Sequence, residues 1–493
     1  MTTRSAEHDG GLIKLQRLLA DPTARPGGTA LIAALAADLD GTVVLLGADA
    51  VVLARAGDTA GVKIAQAAGS KERDARFGRG DQYQDWHVRV WPLAAGGTRT
   101  LVAVRRQPWP TQTEAEAVRA APIIATTLLA DEYDAERARL AAGRRAICRS
   151  VLQLLMVGQV VEAQRVAGAL QPQILDVERV RVHVIAGRTR DRDTLLEACE
   201  VRLGALAVPI ACPARSGHVI VIEPVAATEP GTGERSAVRA ALIELTARSA
   251  SRSLGSSRRH PIAATAAGYA QAIDALATAA ASPDRTANAE QSRSLADLVP
   301  AAIGDWAAGL LEPLATVDHD GTLRSTLQVA LAFTRVEAAS ILGVHRNTVA
   351  ARLAAATDAL RVDLARLPHR SAVHLALCAP SDSGARGGRT TLADVLRDEQ
   401  LKAWAAGLLD SLDDAVAPRG QARMRDLLRA FADTDGNIMS AARRTGLSPN
   451  SASRWLAAAE ATGGMRLRHG YGGAHEVAIA LAATEGFELL PAG

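Results

Sequence analysis

The residues best suited to chemistry in this chain include a short polar cluster near its C-terminal end. This cluster is His345-Arg346-Asn347-Thr348, and Arg352 follows it closely. An arginine can donate two hydrogen bonds to guanine, an asparagine can pair with adenine, and a threonine can contact a phosphate or a thymine methyl group. The cluster therefore predicts contacts to DNA.

A related cluster occurs 103 residues further along the chain. Its members are Arg443, Arg444, Ser448, Asn450, Ser451 and Arg454. A serine followed by proline is typical of the start of a helix. Only the asparagine and a neighbouring hydroxyl are kept from the first cluster, so DNA contact at this second position is a weaker expectation.

Both clusters open the second helix of a predicted helix-turn-helix. In each copy an alanine pair precedes a turn glycine, Gly343 or Gly446, and the polar cluster then leads into Leu-Ala-Ala-Ala. A small-residue helix, a glycine turn and a polar helix start suit two crossing helices of which the second enters a DNA groove.

A structural alternative stays open for the first cluster. Asn347 or Thr348 could simply cap the helix, because both residue types favour that position. His345 could then pack against Trp306 or another neighbour and contact no DNA at all.

The duplication extends beyond the two clusters. Ser294–Leu314 pairs with Thr391–Leu412, and the letters WAAGLL recur unchanged in both segments. Two homologous modules therefore follow one another, with small insertions in their connections.

Composition favours several mainly helical domains. The chain has 493 residues, of which 48% are hydrophobic and 3% aromatic, and its formal net charge is only +3. Basic residues nevertheless exceed acidic ones near both clusters, with nine arginines against four acids between Arg419 and Gly470. Arginine and alanine dominate while lysines number four, which is typical of a GC-rich bacterium and suggests an actinomycete.

The N-terminal part predicts a mixed domain over residues 1–142. Helices are expected at Leu12–Ala20 and Thr29–Asp38, with a strand pair at Thr42–Leu46 and Val51–Ala54. A β-hairpin follows around a glycine turn at residues 95–97, and then a long helix that bends or restarts near Pro122. This layout resembles a GAF-like sensor module, with a ligand-free dimerisation domain as the alternative.

The middle part, residues 143–290, predicts an alternating α/β domain. Arg179–Gly187 and His218–Pro224 are typical of buried strands. A separate helix is expected at Ala146–Met156, and further helices follow at Val160–Leu170, Asp193–Leu203, Glu234–Ser249 and Ala263–Ala280.

The region of the first cluster resembles the PucR/CdaR-type bacterial transcriptional regulators. The resemblance covers about Leu295–Ala379 and rests on the following residues: Trp306, Leu310, Leu311, Pro313, Leu314, Thr326, Leu327, Ala338, Ala339, Leu342, His345, Arg346, Asn347, Thr348, Arg352 and Leu353. It implies a DNA-binding domain preceded by a degenerate GGDEF-like domain. The second cluster departs from the family's His-Arg-Asn-Thr pattern.

The sequence does not favour catalysis or cofactor binding. The stretch Ala214–His218, where a diguanylate cyclase carries its glycines and carboxylates, has neither the glycine pair nor the acids, so two-metal chemistry lacks ligands. Hydrolase signatures and metal-ligand spacings are also missing. The apolar run Ala120–Ala130 is too short to cross a bilayer, so we expect a cytoplasmic protein with no membrane contact.

The sequence thus predicts a multidomain, mainly α protein with α+β sensor domains and two tandem C-terminal helix-turn-helix modules. The expected boundaries are 1–142, 143–290, 291–382 and 388–493. Its expected partners are double-stranded DNA, a second copy or higher homo-oligomer, and a small-molecule effector, with no catalytic site, metal or cofactor. The alternative is a non-catalytic signalling protein that uses its helix-turn-helix modules to dock other proteins.

Overall fold

The protein is described by a computed structural model that covers most of the chain. It describes residues 17–18, 27–47, 50–71, 81–83, 85–93, 99–109, 111–225, 236–289, 295, 303–319, 321–379, 390–416, 421–468 and 472–491. These residues are mostly helical, with two five-stranded sheets. The chain divides into two compact units, residues 1–142 and residues 143–493.

The first unit is built around an antiparallel sheet. Its elements are α1 (Gly28–Asp38), β1 (Thr42–Leu46), β2 (Val52–Ala56), α2 (Thr59–Lys71), β3 (Asp81–Tyr83), β4 (Trp86–Leu93) and β5 (Arg99–Arg105). The strand order is β2-β1-β5-β4-β3. Because side chains alternate along a strand, Val43 and Leu45 pack with α1 on one face, while Val44 and Leu46 pack with α2 on the other.

The predicted strand pair and hairpin are confirmed, since β1 pairs with β2 and β4 pairs with β5. The hairpin turn and nearly all of Leu12–Ala20 lie outside the described residues. Helix α2 was not predicted, because its two glycines weaken the helical pattern. The fold explains them: a Cβ at Gly61 would collide with Thr42, and one at Gly69 with Leu46.

Helix α3 (Thr111–Met156) contradicts two expectations about this region. It is continuous over 46 residues, so the chain does not restart near Pro122 and Ala146–Met156 is not a separate helix. A proline removes one backbone hydrogen bond, and the alanine, leucine, glutamate and arginine residues on both sides favour the helix strongly enough to continue it.

The second unit begins with an α/β arrangement. Its elements after α3 are α4 (Val160–Gly168), β6 (Arg179–Ala186), α5 (Arg192–Leu203), β7 (Val208–Ala211), β8 (His218–Val225), α6 (Ala237–Ala247), β9 (Ser253–Pro261), α7 (Thr265–Ala281) and β10 (Thr286–Asn288). The strand order is β10-β9-β6-β8-β7, with β9 and β10 parallel and the other neighbours antiparallel. The run β6-α5-β7-β8-α6-β9 is a split βαβ arrangement.

The predicted strands β6 and β8 are confirmed, whereas β7, β9 and β10 were not predicted. Strand β9 is rich in serine and basic residues and contains Gly255, so its pattern does not resemble a buried strand. Gly255 is required by packing, because a Cβ there would lie 2.5 Å from the backbone nitrogen of Leu276 in α7. The close approach of α7 to β9 thus depends on a residue that weakens the strand signal.

The rest of the second unit is helical, in two sets. The first set contains α8 (Ile303–Val317), α9 (Thr322–Ala332), α10 (Arg335–Leu342), α11 (Arg346–Leu360) and α12 (Leu367–Leu377). The second contains α13 (Leu392–Leu396), α14 (Glu399–Asp413), α15 (Gln421–Asp433), α16 (Ile438–Thr445), α17 (Pro449–Gly463) and α18 (Gly472–Glu485). Both sets contribute to one hydrophobic core, in which Leu311 and Leu327 join Leu409, Leu456 and Ile479.

The first set also shares a core with the α/β part. Phe333 and Ile341 are buried in the same cluster as Leu152 and Tyr269, and the rings of Phe333 and Tyr269 stack with centroids 5.0 Å apart. The α/β part and the first helical set are therefore packed as one structure. A division of residues 143–493 into three domains stays a prediction.

Arg466 connects all three parts of the second unit. Its side chain is 8% exposed, and its Nε donates to Asp274 Oδ1 of α7 at 2.9 Å. Its Nη2 donates to the carbonyl oxygen of Ala332 at 3.2 Å, and its guanidinium carbon lies 5.4 Å from the ring centroid of Phe333. A buried arginine needs such partners, because desolvation of an unpaired charge is costly.

We predict that Arg466→Ala lowers the free energy of unfolding by about 3 kcal/mol, because it leaves a partly buried carboxylate without its partner. The measurement is urea denaturation of the full chain followed by circular dichroism. Arg202→Ala is the matched control, since Arg202 pairs with Glu244 at 2.8 Å but both side chains are more than half exposed. The control should leave the urea midpoint nearly unchanged. Equal shifts for the two variants would contradict the role assigned to Arg466.

Candidate nucleic-acid interface

The first candidate site lies at the turn between α10 and α11, and local sequence fixes both ends of α10. Thr334 caps α10 through a reciprocal capping box, in which Thr334 Oγ1 accepts from the Glu337 amide at 3.3 Å and Glu337 Oε2 accepts from the Thr334 amide at 3.1 Å. At the other end Gly343 adopts a left-handed conformation, with φ of 67°, and ends the helix. Helix α11 begins directly after this turn.

The first turn of α11 presents four of the predicted site residues to solvent. His345, Arg346, Asn347 and Thr348 are all exposed, whereas Val349 is fully buried and holds the helix on the core. The structure therefore brings these four side chains together on one accessible turn.

The helix cap differs from the alternative that the sequence left open. His345 itself is the cap, because its Nδ1 accepts from the Asn347 amide at 3.3 Å. Neither Asn347 nor Thr348 serves as the cap, and His345 is exposed. A neutral histidine that accepts at Nδ1 carries its proton on Nε2, which can then donate to a base or a phosphate.

Arg352 lies apart from these four residues. Its Nη1 donates to Thr326 Oγ1 of α9 at 3.1 Å, and the side chain is partly buried. This bond fixes α11 against α9. Contact between Arg352 and DNA stays a prediction.

Three alanines complete the accessible face of α11, and the sequence reasoning did not select them. Ala351, Ala354 and Ala355 are exposed and follow Asn347 by four, seven and eight residues, so they share its face of the helix. Short side chains there allow close approach to a groove, and alanine methyl groups can contact thymine methyl groups. The repeated Leu-Ala-Ala-Ala was the available signal for Ala354 and Ala355.

The second helical set repeats this local geometry. Helices α10 and α16 each have eight residues, and α11 and α17 each have fifteen. Gly446 ends α16 with φ of 67°, the same value as Gly343. Ser448 caps α17 by accepting from the Ser451 amide at 3.1 Å, which confirms the helix start expected at Ser448 and Pro449.

The polar side chains of the second cluster fall into two groups. Arg443, Arg444, Asn450 and Arg454 are exposed. Of these, Arg443 Nη2 donates to Ser440 Oγ at 3.1 Å and Arg444 pairs with Asp433 at 3.7 Å. Such exposed contacts are weak and a phosphate can replace them.

The two serines of the second cluster belong to the cap. Ser448 Oγ donates to Ser451 Oγ at 2.9 Å, in addition to accepting from the Ser451 amide. Their hydroxyl groups therefore have a structural role at the helix start, whether or not they also contact a ligand.

The first site is connected to the α/β part by an ion pair. Nε and Nη2 of Arg215, in the loop between β7 and β8, each lie 2.8 Å from Glu337 Oε1. Burial by itself raises the pKa of Glu337, but the Arg215 guanidinium and the Thr334 donors lower it below its usual value. A charged Glu337 thus joins the start of α10 to the loop.

Another polar group resembles a catalytic triad in its connectivity alone. His183 Nδ1 lies 2.9 Å from Ser256 Oγ, and His183 Nε2 lies 2.9 Å from Glu223 Oε2. Ser256 and His183 have no exposed surface, and Arg181 also binds Glu223 at 3.0 Å. A substrate has no route to Ser256 here, so the group stabilises the sheet.

Among the described residues, no group of three or more histidine, cysteine or acidic side chains is arranged to hold a metal ion. No helix in the described part of the chain is both long and apolar enough to span a bilayer.

We predict that Ser448→Ala lowers the free energy of unfolding by about 1 kcal/mol, because the first turn of α17 loses its cap. Ser448→Asp should restore most of this stability, since aspartate also accepts the amide hydrogen bond. Asn450→Ala is the matched control from the same turn and should have a much smaller effect. Urea denaturation tests all three, and a loss as large for Asn450→Ala as for Ser448→Ala would refute the cap assignment.

Comparison with known families identifies the first of these sites. Residues 323–379 match the family model of the PucR C-terminal helix-turn-helix domain. A search of curated proteins and a search of solved structures gave no match for the chain. The matched segment contains all but the first residue of α9, the whole of α10 to α12, and hence the exposed turn at His345–Thr348. Residues 323–379 are therefore similar to a PucR C-terminal helix-turn-helix domain, and a domain of this kind indicates a DNA-binding transcription regulator.

Proposed function

We propose that this protein is a sequence-specific transcription regulator that binds double-stranded DNA as a homodimer. The observation that carries this proposal is the exposed turn His345–Thr348, which opens a helix held rigidly by Val349 and by the turn at Gly343. A rigid helix with a polar, accessible start can enter the major groove and place its side chains on base edges.

The residues of the first turn have distinct proposed roles. Arg346 and Asn347 read base edges, while Thr348 and the amide groups at the helix start bind phosphate. His345 donates from Nε2, since Nδ1 is engaged with the Asn347 amide. Arg352 fixes the angle of α11 through Thr326 and contacts the backbone at most.

In this proposal each helical set is one reading head, meaning a helix-turn-helix that contacts base pairs. The second helical set is the second reading head of the chain. Support comes from the matching helix lengths, the matching turn glycine, and the exposure of Asn450 and Arg454 on the first turns of α17. Arg443 and Arg444 would contact phosphates from α16. Because Ser448 and Ser451 are engaged in the cap, fewer groups are available to read bases than in the first set.

A homodimer follows from the size of one reading head. A single helix-turn-helix contacts few base pairs, and a second half-site about one helical turn away multiplies affinity and specificity. With two helical sets per chain, a dimer would present up to four reading heads.

The remaining parts would control DNA binding. We assign residues 1–142 to a GAF-like sensor for a small-molecule or protein signal, and the α/β part to a degenerate GGDEF-like domain, whose split βαβ order supports the assignment. Helix α3 provides a physical connection, because it begins in the first unit and its last turns, at Val151 and Leu152, are buried in the same core as Ile341 of α10.

A second candidate function is protein docking by the two helical sets. It is favoured by one observation: Val336 of α10 and Met439 of α16 occupy equivalent positions and are 64% and 56% exposed. Exposed apolar side chains at the same place in both sets could bind another protein.

The proposal predicts that the full-length protein enriches an inverted or direct repeat from random duplex DNA. The pair Arg346→Ala and Asn347→Ala should abolish enrichment and weaken binding to the selected site at least about tenfold, because two base contacts are lost. The pair Asn450→Ala and Arg454→Ala should shorten the enriched motif. The measurements are sequencing of the selected DNA and a binding titration at fixed salt.

The matched control is the pair Arg202→Ala and Glu244→Ala, which removes an exposed ion pair far along the chain from both clusters. It should leave the enriched motif unchanged. If the wild-type protein enriches no sequence at moderate salt, protein docking becomes the better account, and Val336→Asp with Met439→Asp should then abolish capture of the partner.

A further inference from the structure

A cavity lies where the α/β part meets the two helical sets of the second unit. Its volume is about 680 Å³, and its walls include Arg215, Glu337, Leu367, Phe431, Asp435 and Arg468. Ligand sites in proteins commonly measure about 300–1,000 Å³ and combine apolar walls with a few polar groups. The cavity has the size and the mixed lining of such a site.

The carboxylates of the cavity are already engaged. Glu337 accepts from Thr334 through Oε2 and from Arg215 through Oε1. Asp435 Oδ1 accepts from Arg366 Nε at 3.2 Å and from the Leu367 amide at 2.8 Å. Both acids therefore serve the protein's own structure, and a cationic ligand would have to displace these donors.

The two arginines of the cavity have donors to spare. Arg215 uses Nε and Nη2 to bind Glu337, and Arg468 uses Nε and Nη2 to bind Glu460. A guanidinium has five N–H groups, so these bonds leave the other edge of each group to face solvent or a ligand. The side chains of Arg215 and Arg468 are 26% and 23% exposed, so both are accessible.

Most of the remaining lining is apolar. Leu367, Phe431, Leu467 and Ala474 line the cavity, together with Val336, and Thr334 adds a hydroxyl group. An anion with an apolar body suits this lining better than a bare inorganic ion, because the body removes these walls from water.

We propose that this cavity binds a small organic carboxylate. Its carboxylate group accepts hydrogen bonds from Arg215 and Arg468, and its apolar body lies against Phe431 and Leu467. Because Arg215 belongs to the α/β part and Arg468 to the second helical set, the bound ligand joins the two. This inference goes beyond the proposed function, and its test requires no DNA.

The test is calorimetric titration of the full-length protein with phenylacetate as the probe. Phenylacetamide is the uncharged control of the same shape, and inorganic phosphate is the control for a bare anion. We expect phenylacetate to bind in the millimolar range or tighter, with both controls much weaker. Arg468→Gln and Arg215→Gln should each weaken binding at least about tenfold, because a charged hydrogen bond is lost.

A pair of charge variants keeps the test independent of folding defects. Val336 also lines the cavity and is 64% exposed, so its replacement should not disturb the core. Val336→Lys should tighten phenylacetate binding and Val336→Glu should weaken it, by roughly three- to tenfold between the two. Arg335→Gln, an exposed arginine outside the cavity lining, should have little effect.

Four outcomes would overturn the proposal. They are no binding of phenylacetate, equal binding of phenylacetamide, equal binding of inorganic phosphate, and binding that is unchanged in both arginine variants. Because DNA is absent from every arm, a failure here is distinguishable from a failure of the proposed DNA-binding function.

Discussion

The arrangement of residues 143–493 depends on one buried guanidinium. Arg466 lies just after α17, yet its partners are Asp274 in the α/β part, the carbonyl of Ala332 in the first helical set, and the ring of Phe333. A desolvated arginine is costly unless it is paired, and here Nε and Nη2 are bonded to segments that must hold a fixed position around the side chain. The first helical set shares one core with the second helical set and another with the α/β part, so the three parts form one compact unit.

That packing determines which surface remains for recognition. The apolar face of α10 is used against the α/β part, and Glu337 is held by Arg215. The polar start of α11 is left exposed as a consequence. Arg215 and Glu337, which join the α/β part to α10, also line the cavity that contains Arg468.

The two helical sets have the same local geometry at their turns but different surface chemistry. Both sets have the same helix lengths and a left-handed glycine, because each turn favours a residue without a Cβ at positive φ. The cap is His345 in the first set and Ser448 in the second, and the groups that are free to contact a ligand differ accordingly. The first set keeps an exposed imidazole donor, whereas the second engages its hydroxyl groups internally.

The sequence by itself determined the features that depend on neighbouring residues: the turn glycines Gly343 and Gly446, the start of α17 at Ser448, the β1–β2 and β4–β5 pairs of the first sheet, and the buried apolar strands β6 and β8. Tertiary structure decided the rest. Helix α2 and strand β9 contain glycines that weaken their local signal, and these are needed because another element approaches closely. The bond from Arg352 to Thr326, the burial of Arg466 and the cavity also join segments far apart in the chain, and no local pattern encodes such distances.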